Sequence, residues 1–461
     1  MKTILSAAFI SCLFFRLSAQ QTQVLTLKDA IGQSLANYST IKARESYLNA
    51  SKATLQQARR DYLPNLVLSA QQDYGTINGQ NGPLYGYGGF GVASSGLPLN
   101  EQNWNAAFGA LYLANINWEL FTFGRTRARI NIARSTVERE QNDLAQEQFQ
   151  HQVKVASAYL NLLASQRIVS SQQKNLDRAV VFRDNTITRA RTGLIAGVDS
   201  SLANAEVSGA RIALIKSRDA AQEQAARLAV LMGVAYKEFV LDTAFVSHAP
   251  QAALAPATLK THPVLSFYQS RINVGNEQLR FYNRSYYPSF SVFGIVQDRG
   301  SGFEAAYTQD RTAFTRDYVT GITPTRGNYL LGVGMTWNLT TIARNSAQVR
   351  SQRFIVDALK HEYDLADQQL RAQLALADAR ILNAMDNYNE APVQVKAASD
   401  AYMQKLTLYR NGLATIVEVT QAMYALNRAE TDRDIAYTNL WQALLLKAAS
   451  SGELPLFTNE F

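Results

Sequence analysis

Residues 190–200 read "ARTGLIAGVDS", and residues 409–419 read "YRNGLATIVEV". Arg191, Gly193, Leu194 and Val198 return as Arg410, Gly412, Leu413 and Val417, and the acid Asp199 returns as Glu418. The offset from Gly193 to Gly412 (412 − 193) is 219 residues. Trp118 in "INWELFTFGRTRARI" and Trp337 in "MTWNLTTIARNSAQV" have the same offset of 219. Upstream, Pro64 in "DYLPNLVLSA" and Pro288 in "YYPSFSVFGI" differ by 288 − 64, or 224, so one half carries five extra residues in a loop region. The chain of 461 residues is therefore a tandem duplication, with a first repeat at 21–240 and a second at 241–461. The period is too long for a solenoid, which points to two structurally equivalent halves.

Each half has the same order of elements. Helical stretches are expected over Leu27 to Asp61 and Leu259 to Tyr286, each closed by a proline just beyond it, Pro64 or Pro288. The apolar period then changes to two. Leu66, Leu68, Ala70 and Tyr74 alternate with polar residues, as do Phe108, Ala110, Tyr112, Ala114, Ile116, Trp118 and Leu120. In the second half Tyr329, Leu331, Val333, Met335, Trp337 and Leu339 alternate with small or polar residues. Phe290, Val292, Gly294 and Val296 form a weaker set, because Phe293 and Ile295 occupy the other face. Alternation over about ten residues with aromatics near the segment ends is the pattern of a transmembrane β-strand, and a half-buried strand of a soluble sheet is its rival. Tyr74, Trp118, Tyr329 and Trp337 are the expected membrane-interface aromatics.

Loops near 75–104 and 299–327 join the paired strands. The first contains "GYGGFG" at 86–91, but "VASSGLPLN" follows and no helix starts, so this is a loop and not a dinucleotide site. After the second strand of each half comes a long helical pattern, about 125–191 and 343–410, with apolar residues recurring by sevens and frequent alanine. Sixty-odd residues make roughly 100 Å of helix, which must pack on others as in a coiled coil. The glycine of the repeated motif stops each helix, and a return helix follows at 198–232 and 416–449. The motif is thus the tip of a helical hairpin, and the chain has two.

The N-terminus, "MKTILSAAFISCLFFRLSAQ", has a basic Lys2, an apolar run and small residues at Ser18 and Ala19. It reads as a secretory signal over 1–20, cleaved after Ala19 or Gln20. The one cysteine, Cys12, lies inside it without a lipobox, so lipidation and disulfides are not expected. No later run of 18 apolar residues offers a transmembrane helix. The net charge of +8 is spread along the chain without blocks of like charge, giving solvated faces and no nucleic-acid partner. His151, His248, His262 and His361 are isolated, and neither a zinc helix, a nucleophile elbow nor a phosphate loop occurs. No enzyme, cofactor or metal site is expected.

Four membrane strands do not close a barrel, and open sheet edges are not tolerated in lipid, so copies of the chain must share one. Two or three copies satisfy this physics. An exported duplicated chain of this element order resembles the TolC-like outer membrane efflux proteins. The resemblance spans the mature chain and is carried most specifically by "GLIAGVDS" and "NGLATIVEVTQA", supported by "YLPNL" and "YYPSF". It implies a homotrimer with a twelve-stranded barrel in the outer membrane lipid, a helical periplasmic tunnel, and an equatorial belt holding the irregular segment 234–258. It also implies a passive exit duct, for efflux or type I secretion, docked by a periplasmic adaptor and driven by an inner membrane pump of RND, ABC or MFS type. The competing reading is a periplasmic coiled-coil scaffold.

By motif match, Asp199 and Glu418 fall where the family places acids at the closed periplasmic aperture, and Tyr409 where a tyrosine latches it. Both acids also sit near the start of a return helix, where a carboxylate serves as a cap, so aperture and cap remain alternatives. The chain departs from the family pattern at Gln421, where a second acid can stand, and at Ala414, where an arginine latch can stand. Gly193 and Gly412 are expected to turn the hairpins with positive φ. Leu194 and Leu413 are then left exposed for an adaptor's hairpin.

Overall fold

The computed structural model describes residues 24–79, 98–243, 248–254, 259 and 262–460. The signal segment, Cys12 and the "GYGGFG" loop lie outside the described residues. The elements are α1 (Leu27–Asn37), α2 (Ser39–Arg60), β1 (Asn65–Thr76), β2 (Ala106–Phe121), α3 (Arg125–Arg191) and α4 (Gly197–Met232) in the first repeat. The second repeat has α5 (Pro263–Arg284), β3 (Ser289–Ser301), α6 (Tyr318–Ile322), β4 (Arg326–Thr336), α7 (Thr341–Arg410), α8 (Ile416–Ser451) and α9 (Pro455–Thr458). The helical hairpins form as expected, with α3 at 67 residues and α7 at 70, each about 100 Å long. None of the described helices is long and apolar enough to cross a membrane.

Two differences from the sequence expectation have local causes. The first helical stretch is two helices, because Tyr38 is extended (φ −67°, ψ 121°) between α1 and α2. There its ring lies flat on the His151 imidazole, with centroids 3.8 Å apart. Helix α5 starts at Pro263, not Leu259. Proline suits the first helical position, and the Val264 N–H donates to His262 Nδ1 at 3.2 Å.

The chain divides into two compact units, each drawing on both repeats. One comprises Met1–Tyr47, Gln141–Tyr268 and Glu362–Phe461, and its core gathers α1, the middle of α3 and the ends of α4 and α8. Tyr159, Leu160, Leu163, Leu228, Trp441 and Phe457 are fully buried there. Such side chains contribute roughly 1.5–3 kcal/mol each by leaving water. The Tyr159 hydroxyl donates to the Leu25 carbonyl at 2.8 Å, and burial pushes its pKa upward. Lys447, also buried, is matched by Asp378 at 2.9 Å and by the Ala253 carbonyl at 3.2 Å.

The other unit, Leu48–Glu140 and Gln269–His361, holds the sheet. Its strands pair antiparallel in the order β1-β2-β3-β4, leaving β1 and β4 as edges. Residues directly opposite share a face. One row is therefore Leu66, Ile116, Gly294 and Leu331, and the next is Leu68, Ala114, Val296 and Tyr329. Tyr74 with Phe108, and Trp118 with Val292 and Val333, belong to the same face. While Trp337 and Leu339 lie beyond β4 and Leu120 falls at the irregularity between Glu119 and Phe121, each apolar set picked out by alternation within the paired strands thus lands on one face. Leu68, Leu331 and Val333 are about three-quarters exposed on it (76, 74 and 73%). The opposite face is more polar but mixed: it carries Asn65, Ser69, Gln71, Asp73, Asn115, Asn117, Ser291, Gln297 and Asn328, with Val67, Leu111, Leu113, Phe293, Ile295 and Leu330 among them. Gly332 faces Phe293 there: a Cβ on Gly332 would lie 2.5 Å from the ring.

Candidate functional site

Both hairpin tips are built by the same backbone device. Leu194 N–H donates to the Arg189 carbonyl at 3.0 Å and Gly193 N–H to Ala190 at 3.1 Å. In the second repeat Leu413 donates to Leu408 at 2.9 Å and Gly412 to Tyr409 at 3.0 Å. This nested pair is a Schellman motif, which requires a left-handed residue after the helix. Gly193 (φ 73°) and Gly412 (φ 77°) supply it. The leucines that follow are left in solvent, Leu194 at 69% and Leu413 at 74% exposure.

The two tips share one core. Ala179 and Phe182 of α3, Val207 and Ala210 of α4, Tyr402 and Tyr409 of α7, and Val419 and Met423 of α8 form a single apolar cluster. Tyr409 is buried in it (4% exposed), with its ring 5.5 Å from that of Phe182 and its hydroxyl 3.5 Å from Thr186 Oγ1. Arg189 lies over the Tyr409 ring at 5.3 Å and donates to the Tyr409 carbonyl at 2.8 Å. Further along, Arg178 grips Glu430 with two bonds of 3.0 and 2.7 Å, and Ser171 donates to the buried Asp434 at 2.9 Å. Sequence patterning does not reveal these cross-links, because each joins residues more than 200 positions apart.

The two tip acids occupy the same position, third in their helices, but differ in company. Glu418 belongs to a complete capping box: it receives the Thr415 N–H while Thr415 Oγ1 receives its own. Lys405 donates to it at 2.5 Å, and this bond first, then those of Thr415, hold the Glu418 carboxyl below its usual range. Asp199 has no side-chain hydrogen bond or ion pair among the described residues, and Ala196 ahead of α4 offers no side-chain cap. The cause is legible at the repeat offset. Thr186 stands where the second repeat has Lys405 (405 − 186 is 219), and Ala196 where it has Thr415 (415 − 196 is 219). Ala414 packs against the tip cluster and Gln421 is exposed.

Of the four aromatics, Tyr74, Trp118 and Tyr329 lie on the apolar face. Trp337 lies one residue beyond β4. Trp118 Nε1 donates to the Tyr62 carbonyl at 2.8 Å and Trp337 Nε1 to the Tyr286 carbonyl at 3.1 Å. The two bonds tie each strand end to the chain just past α2 or α5.

The family model described as "Outer membrane efflux protein" matches residues 30–234 and 257–444, one segment in each repeat. The chain belongs to this family. It is an outer membrane efflux channel with a periplasmic extension, in a family of transport proteins and not of enzymes. Its fold is similar to that of the outer membrane protein VceC of Vibrio cholerae, at 16% identity and a TM-score of 0.73, over 92% of this chain and 96% of that one. It is also similar to CusC, at 13% identity and 0.74 over 92% of each chain, and to the Campylobacter jejuni CmeC outer membrane channel, at 13% and 0.71 over 93% and 85%. A search of curated protein sequences finds no match.

Proposed function

We propose that this efflux protein works as a homotrimer whose shared barrel and helical tunnel form the exit duct of a tripartite efflux or type I secretion system. The observation that carries the reading is the open sheet: among the described residues it has four strands, an apolar face in solvent, and unpaired edges at β1 and β4. In lipid each orphaned backbone group costs several kcal/mol, so β4 of one copy pairs with β1 of the next until the ring closes. Three copies supply twelve strands, the family's number. Tyr74, Trp118, Tyr329 and Trp337 then anchor the barrel in the two membrane interfaces.

In this reading the hairpin tips are the periplasmic entrance. Leu194 and Leu413, beside Gly193 and Gly412, dock a periplasmic adaptor, which couples the duct to an RND, ABC or MFS pump in the inner membrane. Tyr409 latches the closed tips, and Asp199 and Glu418 line the aperture. The two acids do not contribute equally. Glu418 is already neutralised by Lys405, so Asp199 is the carboxylate that meets cations at the entrance. Mass measurement of the native protein in mild detergent tests the assembly: a trimer is expected, and a stable monomer overturns the barrel. In planar bilayers Asp199→Asn is expected to weaken block by multivalent cations more than Glu418→Gln does. Equal effects, or none, overturn the assignment of the aperture charge.

A further inference from the structure

The polar face of the sheet carries one arrangement that channel architecture alone does not explain. Arg299 of β3 and Arg326 of β4 are direct cross-strand partners on that face, in a row completed by Leu111 and Gln71. Like charges directly opposite one another are destabilising. Of the other arginines in the segment joining β3 to β4, Arg311 lies over the Tyr307 ring at 5.7 Å and Arg316 over Phe314 at 5.8 Å. Arg299 and Arg326 are both exposed, and among the described residues neither guanidinium has a carboxylate or a ring against it. The carboxylates of this face are elsewhere. Glu119 is bonded to Arg125 at the far end of β2. Asp73 accepts from Gln71 on β1, two strand spacings or about 10 Å from β3. Asp298 points to the other face, against Gly327.

The backbone that carries the pair is also tied down at the rim of the sheet. Thr325 N–H donates to the Arg299 carbonyl at 2.9 Å. Gly300, the next residue, is covered on the apolar face by the carbonyls of Gly321 and Thr323, and a Cβ there would meet them at 2.8 and 2.7 Å. The backbone of this rim is thus clamped on one face, and Arg299 and Arg326 belong to the other.

We propose that Arg299 and Arg326 form a binding site for small multivalent anions, of phosphate or sulfate chemistry, on the lumen side of the barrel near its loop end. The inference rests on the barrel reading above, which makes the polar face the lumen. Two planar guanidiniums a strand apart can share one tetrahedral oxyanion through charge-assisted bonds, and the anion removes their repulsion. Each copy contributes the same pair, so the closed barrel carries a belt of positive charge that favours anions. The nearest rival counterion is Asp73 of the neighbouring copy, whose β1 would adjoin β4 on closure.

The test uses the full chain in neutral phosphatidylcholine bilayers, with inorganic pyrophosphate added from the loop side. Wild type is expected to be blocked. The Arg299→Ser, Arg326→Ser double variant is expected to lower the anion-to-cation permeability ratio and weaken the block about tenfold or more, the worth of one charge-assisted hydrogen bond. Arg299→Lys with Arg326→Lys keeps the charge and should retain selectivity while losing part of the block. In detergent, pyrophosphate should raise the melting temperature of wild type and not of the serine variant. Conducting wild type with unchanged block in the serine variant overturns this site alone. A wild-type protein that forms no channel overturns the barrel reading and this inference with it. Failure of pyrophosphate to stabilise wild type, together with an oligomer weakened equally by Asp73→Asn and Arg326→Ser, would make the pair an inter-copy salt bridge and overturn the anion site.

Discussion

The Trp118 indole donates to the Tyr62 carbonyl at 2.8 Å. The second repeat makes the same bond between Trp337 and Tyr286 at 3.1 Å. The tryptophans are 219 residues apart and the acceptors 286 − 62, or 224, so the duplication kept the contact across the five-residue difference. Trp118→Phe keeps a ring beside Tyr62 and removes the donor, and is expected to cost about 0.5–1.5 kcal/mol. The double variant with Trp337→Phe should cost more. Thermal unfolding in detergent reads the effect, and an unchanged midpoint would reduce both bonds to incidental contacts.

The repeat offset also explains how far the sequence could be read. Hairpins, tips and the two sheet faces follow from spacing, because glycine, proline and apolar alternation act locally. The register adds that Tyr74, Trp118 and Tyr329 share a face, which alternation within single strands leaves open. The His151 ring that stacks on Tyr38 comes from α3, and the break at Tyr38 is not legible in the spacing. Nor is the order in the β3–β4 segment, where Phe303, Tyr307 and Phe314 cluster and Tyr318 reaches Gln72. The capping box was present as "TIVE". Its neutralising partner, Lys405, comes from the preceding helix and needed the structure.

The cap and the charge at the second tip can be separated. Thr415→Ala removes the side-chain acceptor for the Glu418 N–H and leaves the carboxylate, so it should cost about 1 kcal/mol of stability. Aperture conductance and cation block should stay at the wild-type level. A change in block without a change in stability would mean that Thr415 acts on the aperture and not as a cap.

Two buried histidines make acid stability predictable. His151 and His262 are 0 and 3% exposed, and their Nε2 atoms lie 3.0 Å from the carbonyls of Leu231 and Ala449. Burial lowers both pKa values from 6.5; for His151 the Leu231 bond opposes this, Lys154 adds to it and Glu147 opposes it. With the folded pKa below the unfolded one, the unfolded chain binds protons that the folded chain refuses. Stability is therefore full above about pH 6.5 and falls as pH drops through the folded values. His151→Phe retains a ring on Tyr38 and should flatten this acid-side slope in a melting-temperature profile. An unchanged slope would place the acid sensitivity elsewhere.

The lipid face yields a sharper contrast than sequence alone allowed. Leu331→Arg puts a charge on the apolar face and should cost about 2–4 kcal/mol near the bilayer centre. Gly332 is unsuited as a control on the opposite face, because a Cβ there would strike the Phe293 ring. Thr336, opposite Ser289 on the polar face, is the better one. Assembly yield should fall for Leu331→Arg and hold for Thr336→Arg. Equal yields would reverse the assignment of faces.

The tip leucines carry the last prediction. Leu194 and Leu413 follow left-handed glycines in Schellman turns, where their backbone N–H groups close the motif and their side chains stand in solvent. A hydrophobic contact usually accompanies this turn, yet these side chains lie outside the shared tip cluster. Exposed apolar groups repeated at both tips therefore serve an external surface better than the fold. Changing both to Asp keeps each N–H bond and should leave oligomer yield and bilayer conductance unaltered. Efflux in cells, read as dye accumulation, should be lost, while a double Met variant, apolar and similar in size, should retain it. Full efflux by the Asp variant would remove the leucines from adaptor docking. Lost oligomer yield would instead make them packing residues of the closed entrance.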